Sequence, residues 1–302
     1  MPLQKLESTD AFVITDLPDV PASGVVRMAK KILQSSATDL ARTATYTFAA
    51  FEIQRSGASG GINAVGDAQG PALEAFIGEL LPEAEAGVIH LDEAKGVPDD
   101  AFAPLDAAAG RHALGGSSRA VAMSVLAAAT ATLGGLSGAR VAIEGAGDVP
   151  TALREALTEA GAEIVDVDGV DAKPWLIWGA DADAVLAGSK LGALTHQGTE
   201  FVKAKAIVPW GPVPVTTKAF AQLRQAGVTV VPDFVSAAGG LLADHVDGAT
   251  DDERLAAIAA LVTDRLTGLL AHDEGPLLGA CFEAEAYLAS WTDTKLFGRP
   301  LA

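Results

Sequence analysis

The sequence predicts an α/β protein of two domains, and three observations carry that expectation. Short apolar runs alternate with segments whose apolar residues recur every three to four positions, as strands joined by crossover helices do. The rhythm breaks once, in a stretch rich in Asp, Pro and Ala from Asp92 to Ala109, which is the expected boundary region. The length of 302 residues suits about two domains. Apolar residues make up 49% of the chain and aromatics 5%, so the core is expected to be Ala, Val and Leu in closely packed helices.

In the first part, Ala11–Thr15 (A-F-V-I-T) and Gly24–Met28 (G-V-V-R-M) read as strands. Ser36 is the expected N-cap of a helix from Ala37 to Phe51, with Leu40, Ala44, Phe48 and Phe51 on one face. R-S-G-A-S-G-G-I (55–62) follows as a glycine-rich loop, bare enough for another group to approach closely. Pro71–Leu81 is a helix and Gly87–Leu91 a strand. In the second part, Ser117–Leu133 is a long Ala-rich helix, and Thr151–Ala160 and Thr216–Ala226 are further helices. The strand runs there are Arg140–Ile143, Glu163–Val167, Trp175–Trp178, Ala184–Ala187, Ala206–Val208 and Val228–Val231. Two helices, Asp252–His272 and Pro276–Trp291, close the chain. Strands and helices alternating through short loops imply a parallel sheet with crossover helices.

The formal net charge of −18 argues against nucleic acid and anionic membranes as partners. The single cysteine, Cys281, excludes an internal disulfide and a Cys-based zinc site, and fits a reducing compartment. The five histidines, His90, His112, His196, His245 and His272, show no metal spacing. The N-terminus lacks a signal-peptide core and no apolar run reaches the length of a membrane span, so the expected location is cytoplasmic.

V-A-I-E-G-A-G-D-V-P (141–150) begins in a strand and opens a helix, the context of a dinucleotide-binding turn. Gly145 allows the tight turn and Gly147 a close backbone approach to a pyrophosphate, with Asp148 and Val149 at the helix start. Pro150 replaces the third glycine of G-x-G-x-x-G; it suits a first helical turn but removes a donor and adds bulk. Asp166 and Asp168 supply the acid expected after the next strand, and Asp168 is the better ribose partner, favouring NAD over NADP. The second domain is therefore expected to be a Rossmann-like, doubly wound parallel sheet. A sheet of that kind that has lost its nucleotide is the competing reading.

The order of segments resembles the glutamate/leucine/phenylalanine/valine dehydrogenases, enzymes that oxidatively deaminate amino acids with NAD(P). P-A-S-G-V-V-R-M (21–28) is similar to the family's glycine-rich strand ending in Arg-Met. T-Y-T-F-A-A…R-S-G-A-S-G-G-I (45–62) is similar to its T-Y-K-x-A…G-G-A-K-G-G-I, and V-A-I-E-G-A-G-D-V to its G-F-G-N-V turn. V-P-W-G-P-V-P-V-T-T-K-A (208–219) with V-V-P-D-F-V-S-A-A-G-G (230–240) resembles its E-G-A-N-G-P-T-T-P-E-A and P-D-x-x-x-N-A-G-G, spacing included. The resemblance implies a substrate and oligomerisation domain over 1–112, a dinucleotide domain over 113–275, a C-terminal helix over 276–302 returning to the first domain, and a cleft between the two domains. It also implies NAD or NADP as cofactor, a small-molecule ligand in the cleft and a homo-oligomer.

The departures fall on the chemistry. The family's lysines would lie at Ser23, Thr47 and Ser59, the last being the catalytic one; its acid aligns near Glu93, with Asp92 beside it. Its asparagines fall on Pro212 and Ala237. A serine cannot supply the charge with which an ammonium polarises a carbonyl and an attacking water. Acids left without their cations would repel a carboxylate substrate. Ordinary amino-acid deamination is therefore not expected. Arg27 and Arg55 are candidate anion anchors, with a structural role for Arg27 the competing reading; Lys30 and Lys31 read as a solvated pair. Ser59 is a candidate nucleophile, although R-S-G-A-S-G-G lacks the strand-to-helix setting of a nucleophile elbow. His90 with Glu93 is a candidate acid/base pair, and Trp210 either stacks on a ring or fills the nucleotide site. Two functions remain open on these residues. One is an NAD(P)-dependent oxidoreductase with altered substrate chemistry. The other is a catalytically inactive homologue that binds a ligand or a partner subunit and needs no cofactor.

Overall fold

The computed structural model describes residues 1–111 and 117–301, so His112 and the boundary expected at 112–113 lie outside the described residues. The chain divides into two compact units, Met1–Gly116 with Tyr287–Pro300, and Ser117–Ala286 with the last two residues.

The first unit is built on β1 (Leu3–Lys5), β2 (Ala11–Thr15), β3 (Ala22–Ala29), α1 (Gln34–Ala50), β4 (Ser56–Asn63), α2 (Gln69–Glu85), β5 (Ile89–Glu93) and α3 (Ala103–Ala109). Its sheet has the order β1-β2-β4-β3-β5. β2 pairs antiparallel with β1 and β4, whereas β3 pairs parallel with β4 and β5. The apolar run of β2 is buried on both sides. Phe12 and Ile14 pack against Ala37 and Ala41 of α1, and Ala11 and Val13 join Val26, Ile62, Phe76 and Leu80 on the α2 side.

Three expectations are corrected here. R-S-G-A-S-G-G-I is not a loop: from Ser56 it is the central strand β4, laddered to β2 and β3 on its two sides. Glycine disfavours strands, but pairing on both edges overrides that preference, and the glycines serve packing. A Cβ on Gly57 would lie 1.9 Å from the Ala41 carbonyl oxygen of α1. The helix sits so close that the Gly57 N–H donates to Thr45 Oγ1 at 2.8 Å. Ser36 is not the N-cap; α1 starts at Gln34 after Leu33, and the Ser36 hydroxyl donates back to the Leu33 carbonyl. The stretch from Asp92 to Ala109 is no open boundary: it contains the end of β5 and all of α3, and it buries Phe102 against Phe76.

The second unit contains α4 (Ser117–Leu133), β6 (Arg140–Ile143), α5 (Asp148–Glu159), β7 (Glu163–Ile164), β8 (Ala184–Ala187), β9 (Ala206–Pro209), α6 (Thr217–Gln225) and β10 (Thr229–Val230). Then follow two short helices, α7 (Asp233–Ser236) and α8 (Gly239–Leu242), and two longer ones, α9 (Asp251–Leu270) and α10 (Pro276–Ala289). All five strands run parallel in the order β10-β9-β8-β6-β7, the doubly wound arrangement expected. Trp175–Trp178 is not a strand. Pro174 opens a 3-10 helix from Pro174 to Gly179, because proline has no N–H for a ladder and its fixed φ suits a first helical turn. The C-terminal segment is shared: residues up to Ala286 sit in the second unit, and Tyr287–Pro300 in the first. There the Tyr287 hydroxyl donates to the Glu52 carbonyl at 2.7 Å. No helix among the described residues is long and apolar enough to cross a membrane.

Candidate functional site

In the first unit the candidate residues lie on one face of three neighbouring parallel strands. Strand alternation turns Ser23, Val25 and Arg27 of β3 toward α1, together with Gly57, Ser59 and Gly61 of β4 and His90 and Asp92 of β5. Ser59 lies in register between Ile14 and Val25, fully buried, and its hydroxyl has no hydrogen-bond partner. Thr47 is equally buried and donates to the Thr43 carbonyl of its own helix at 3.2 Å. Ser23 Oγ accepts from Arg55 Nε, and Arg55 also reaches the Ala22 carbonyl at 3.3 Å. Thus Arg55 places a guanidinium beside one position where the resemblance implies a lysine.

Arg27 donates from Nη2 to Ser36 Oγ at 3.0 Å, while its buried Nε has no partner, and burial lowers its pKa from the usual arginine value. Asp92 is held by Arg111 at 2.9 Å, and Arg111 also pairs with Asp106 at 2.8 Å. Arg111 was not singled out by sequence; nothing in its spacing announces a pair with Asp92 nineteen residues away. The pair expected from His90 and Glu93 does not form on one face. Three positions apart on a strand, they project to opposite sides, and Glu93 accepts the Phe102 N–H at 2.6 Å. Lys30 and Lys31 are both exposed.

In the second unit the turn after β6 has the expected backbone. Gly145 (φ +92°) and Gly147 (φ +122°) occupy conformations open to glycine, and Gly147 precedes α5 with free space beside it. Asp148, Val149 and Pro150 form the first turn of α5, with Pro150 buried and donating nothing. Asp168 is exposed beyond the end of β7, while Asp166 pairs with Arg154 at 2.9 Å. Ala237 ends α7 with only a methyl group to offer.

Sequence reading passed over Glu144, the residue before Gly145. Its buried carboxylate accepts the N–H groups of Gly188 and Ser189, each at 3.0 Å, and the Ser189 hydroxyl. Trp210, half-buried at the end of β9, donates its indole N–H to the Glu144 carbonyl at 2.9 Å. The available signal was positional, an acid at the end of the first strand of a parallel sheet.

The segment after Trp210 is held by a second buried acid. Val213 has φ +45°, a costly setting for a β-branched residue. Its N–H donates to the buried carboxylate of Asp233 at 2.7 Å. Burial pushes the Asp233 carboxyl up to about 6, against backbone N–H groups that favour its charged form. A carboxyl raised above its unfolded value of 3.8 stabilises the fold below that value, and the contribution is lost as pH rises through about 6. Asp233→Asn is therefore expected to remove a fall in unfolding free energy of about 2 kcal/mol between pH 4 and 7. Urea denaturation of both proteins across that range checks it; an unchanged pH slope in the variant would assign the effect elsewhere.

No family model matches the chain. It is 27% identical to the NADP-specific glutamate dehydrogenase of Saccharolobus shibatae over 46% of this chain and 42% of that protein. It is 29% identical to the glutamate dehydrogenase of Aeropyrum pernix over 42% and 38% respectively. The matches thus span about two fifths of each relative. Among solved structures, the hetero-hexameric glutamate dehydrogenase of Thermus thermophilus, in its Leu-bound form, superposes with a TM-score of 0.78 at 21% identity. That superposition covers 96% of this chain and 88% of the other. The L-tryptophan dehydrogenase of Nostoc punctiforme gives a TM-score of 0.71 at 19% identity, covering 96% of both chains. The chain shares the fold of these amino-acid dehydrogenases, and over less than half of its length it is similar in sequence to two glutamate dehydrogenases. In this chain, β3, α1 and β4 carry Ser23, Thr47 and Ser59, the positions at which the resemblance implied lysines.

Proposed function

We propose that this amino-acid dehydrogenase homologue is catalytically inactive and serves as a ligand-binding or partner subunit within an oligomer. The observation that carries the reading is Ser59, a fully buried, uncharged side chain in mid-strand, where the family resemblance implies the catalytic lysine. Its companions at Thr47 and Ser23 are absorbed into hydrogen bonds with the surrounding fold. Without an ammonium at Ser59 or Thr47, the charge developing on a carbonyl oxygen finds no counter-charge from either side chain. Arg55 and Arg27 remain as cations on the same face and suit recognition of a small anion more than proton transfer, since a guanidinium stays charged. The Thermus thermophilus neighbour is consistent with the partner role, because it is a hetero-hexamer.

The second reading, an NAD(P)-dependent oxidoreductase with altered substrate chemistry, draws support from the open backbone at Gly147. A panel of L-amino acids with NAD or NADP separates the two. No reduced cofactor is expected at 340 nm, while at least one amino acid or 2-oxo acid raises the melting temperature. Turnover would overturn inactivity; a melting temperature unmoved by the whole panel would overturn ligand binding.

A further inference from the structure

We propose that this chain closes its own dinucleotide crevice: Glu144, Ser189 and Trp210 occupy the switch point of the parallel sheet, and the second unit binds no NAD(P). In open parallel sheets ligands enter where neighbouring strands send their crossovers in opposite directions, just beyond the carboxyl ends. Here that point lies between β6 and β8. The residues leaving those two strands bind each other. The Glu144 carboxylate, immediately after β6, takes both N–H groups and the hydroxyl offered by Gly188 and Ser189 immediately after β8.

Trp210 completes the closure from β9. A Cβ on Gly145 would lie 2.8 Å from the Ser189 Cβ and 3.0 Å from Trp210 Cζ2. One on Gly188 would lie 2.3 Å from the Gly211 backbone nitrogen and 2.7 Å from Trp210 Cδ2. The bareness of Gly145 admits an indole and a serine of the same chain, and that of Gly188 admits the indole and the Gly211 backbone, where a nucleotide-binding turn would admit a pyrophosphate. The indole N–H bond to the Glu144 carbonyl fixes the ring there. Charge acts in the same direction. Glu144 and Asp148 flank the turn, Asp148 already sits at the positive end of α5, and Pro150 withholds an N–H. A dianionic pyrophosphate would meet two carboxylates where it needs donors.

The inference is independent of the ligand proposed for the first unit. Calorimetric titration of the full chain with NAD, NADH, NADP and NADPH is expected to show no saturable binding at millimolar concentration. The double variant Trp210→Ala/Glu144→Gln, which removes the ring and the charge, is expected to bind NADH at least about tenfold more tightly than wild type. Trp210→Phe keeps most of the bulk and is expected to remain blind to nucleotide. Saturable sub-millimolar binding to the wild type would overturn the proposal even if no amino acid were turned over. So would a folded double variant that still fails to bind. Should that variant not fold, the wild-type titration and Trp210→Phe decide: NADH binding by Trp210→Phe would overturn the obstruction by the ring. Failure of amino acids to stabilise the protein would leave this inference intact, so the two proposals fail separately.

Discussion

Ser59→Lys is expected to produce a protein that deaminates no amino acid and is less stable than wild type by on the order of 3 kcal/mol or more. The side chain at 59 is fully buried between Ile14 and Val25. Lysine would add bulk to a packed layer and bring an ammonium into it. Asp92 of β5 and Asp16 just after β2 are already committed, to Arg111 and Arg42 respectively. An unpaired buried ammonium lowers its pKa and tends to shed its proton, so it would not carry the charge that catalysis requires. Thr47 and Ala237 would still lack the groups the family mechanism uses. Ser59→Met, close in length but uncharged, separates crowding from charge. Urea denaturation of both variants with a reduced-cofactor assay checks the expectation, and appreciable turnover by the single lysine variant would refute it.

Arg42→Met is expected to cost about 3–5 kcal/mol, the usual penalty for breaking one side of a buried ion pair. Arg42 in α1 binds Asp16 through Nε at 2.7 Å and Nη2 at 2.9 Å, and both side chains are buried. Its third nitrogen donates to the carbonyls of Phe297 and Gly298. One guanidinium thus joins the end of β2, helix α1 and the C-terminal segment of the first unit. The substitution strands Asp16 without a counter-charge and releases residues 297–298 together. Limited proteolysis should therefore cut near Phe297 sooner in the variant. Arg42→Met/Asp16→Leu, which removes both charges, is expected to recover most of the lost stability. A loss below about 1 kcal/mol in the single variant would mean that the pair is solvated and weak.

Much of the fold was legible in the sequence because its signals are local. The run Ala11–Thr15 and the helix Ser117–Leu133 match the structure end to end, and Arg140–Ile143 and Ala184–Ala187 do as well. Each is bounded by turn residues and keeps one period throughout. The misreadings share a cause. β4 looked like a loop because glycine marks loops when judged alone, yet two neighbouring strands and a close helix give it strand geometry. Trp175–Trp178 looked like a strand because four apolar residues do not distinguish a strand from a helical turn.

The candidate site was legible as a set of residue types and not as an arrangement. The sequence by itself determined that serine and threonine stand where the family resemblance implies lysines, and that a glycine turn followed by Asp148 and Pro150 ends the first strand of a parallel sheet. Those are facts of residue identity and local pattern. Only the tertiary structure decided that His90 and Glu93 face apart, that Arg111 neutralises Asp92, and that Glu144, Ser189 and Trp210 meet over the glycines of the switch point. The physical reason is that side-chain periodicity acts over a few residues. The partners of Glu144 lie 44 to 66 residues away and come together only through strand order and register, which burial of the whole sheet sets.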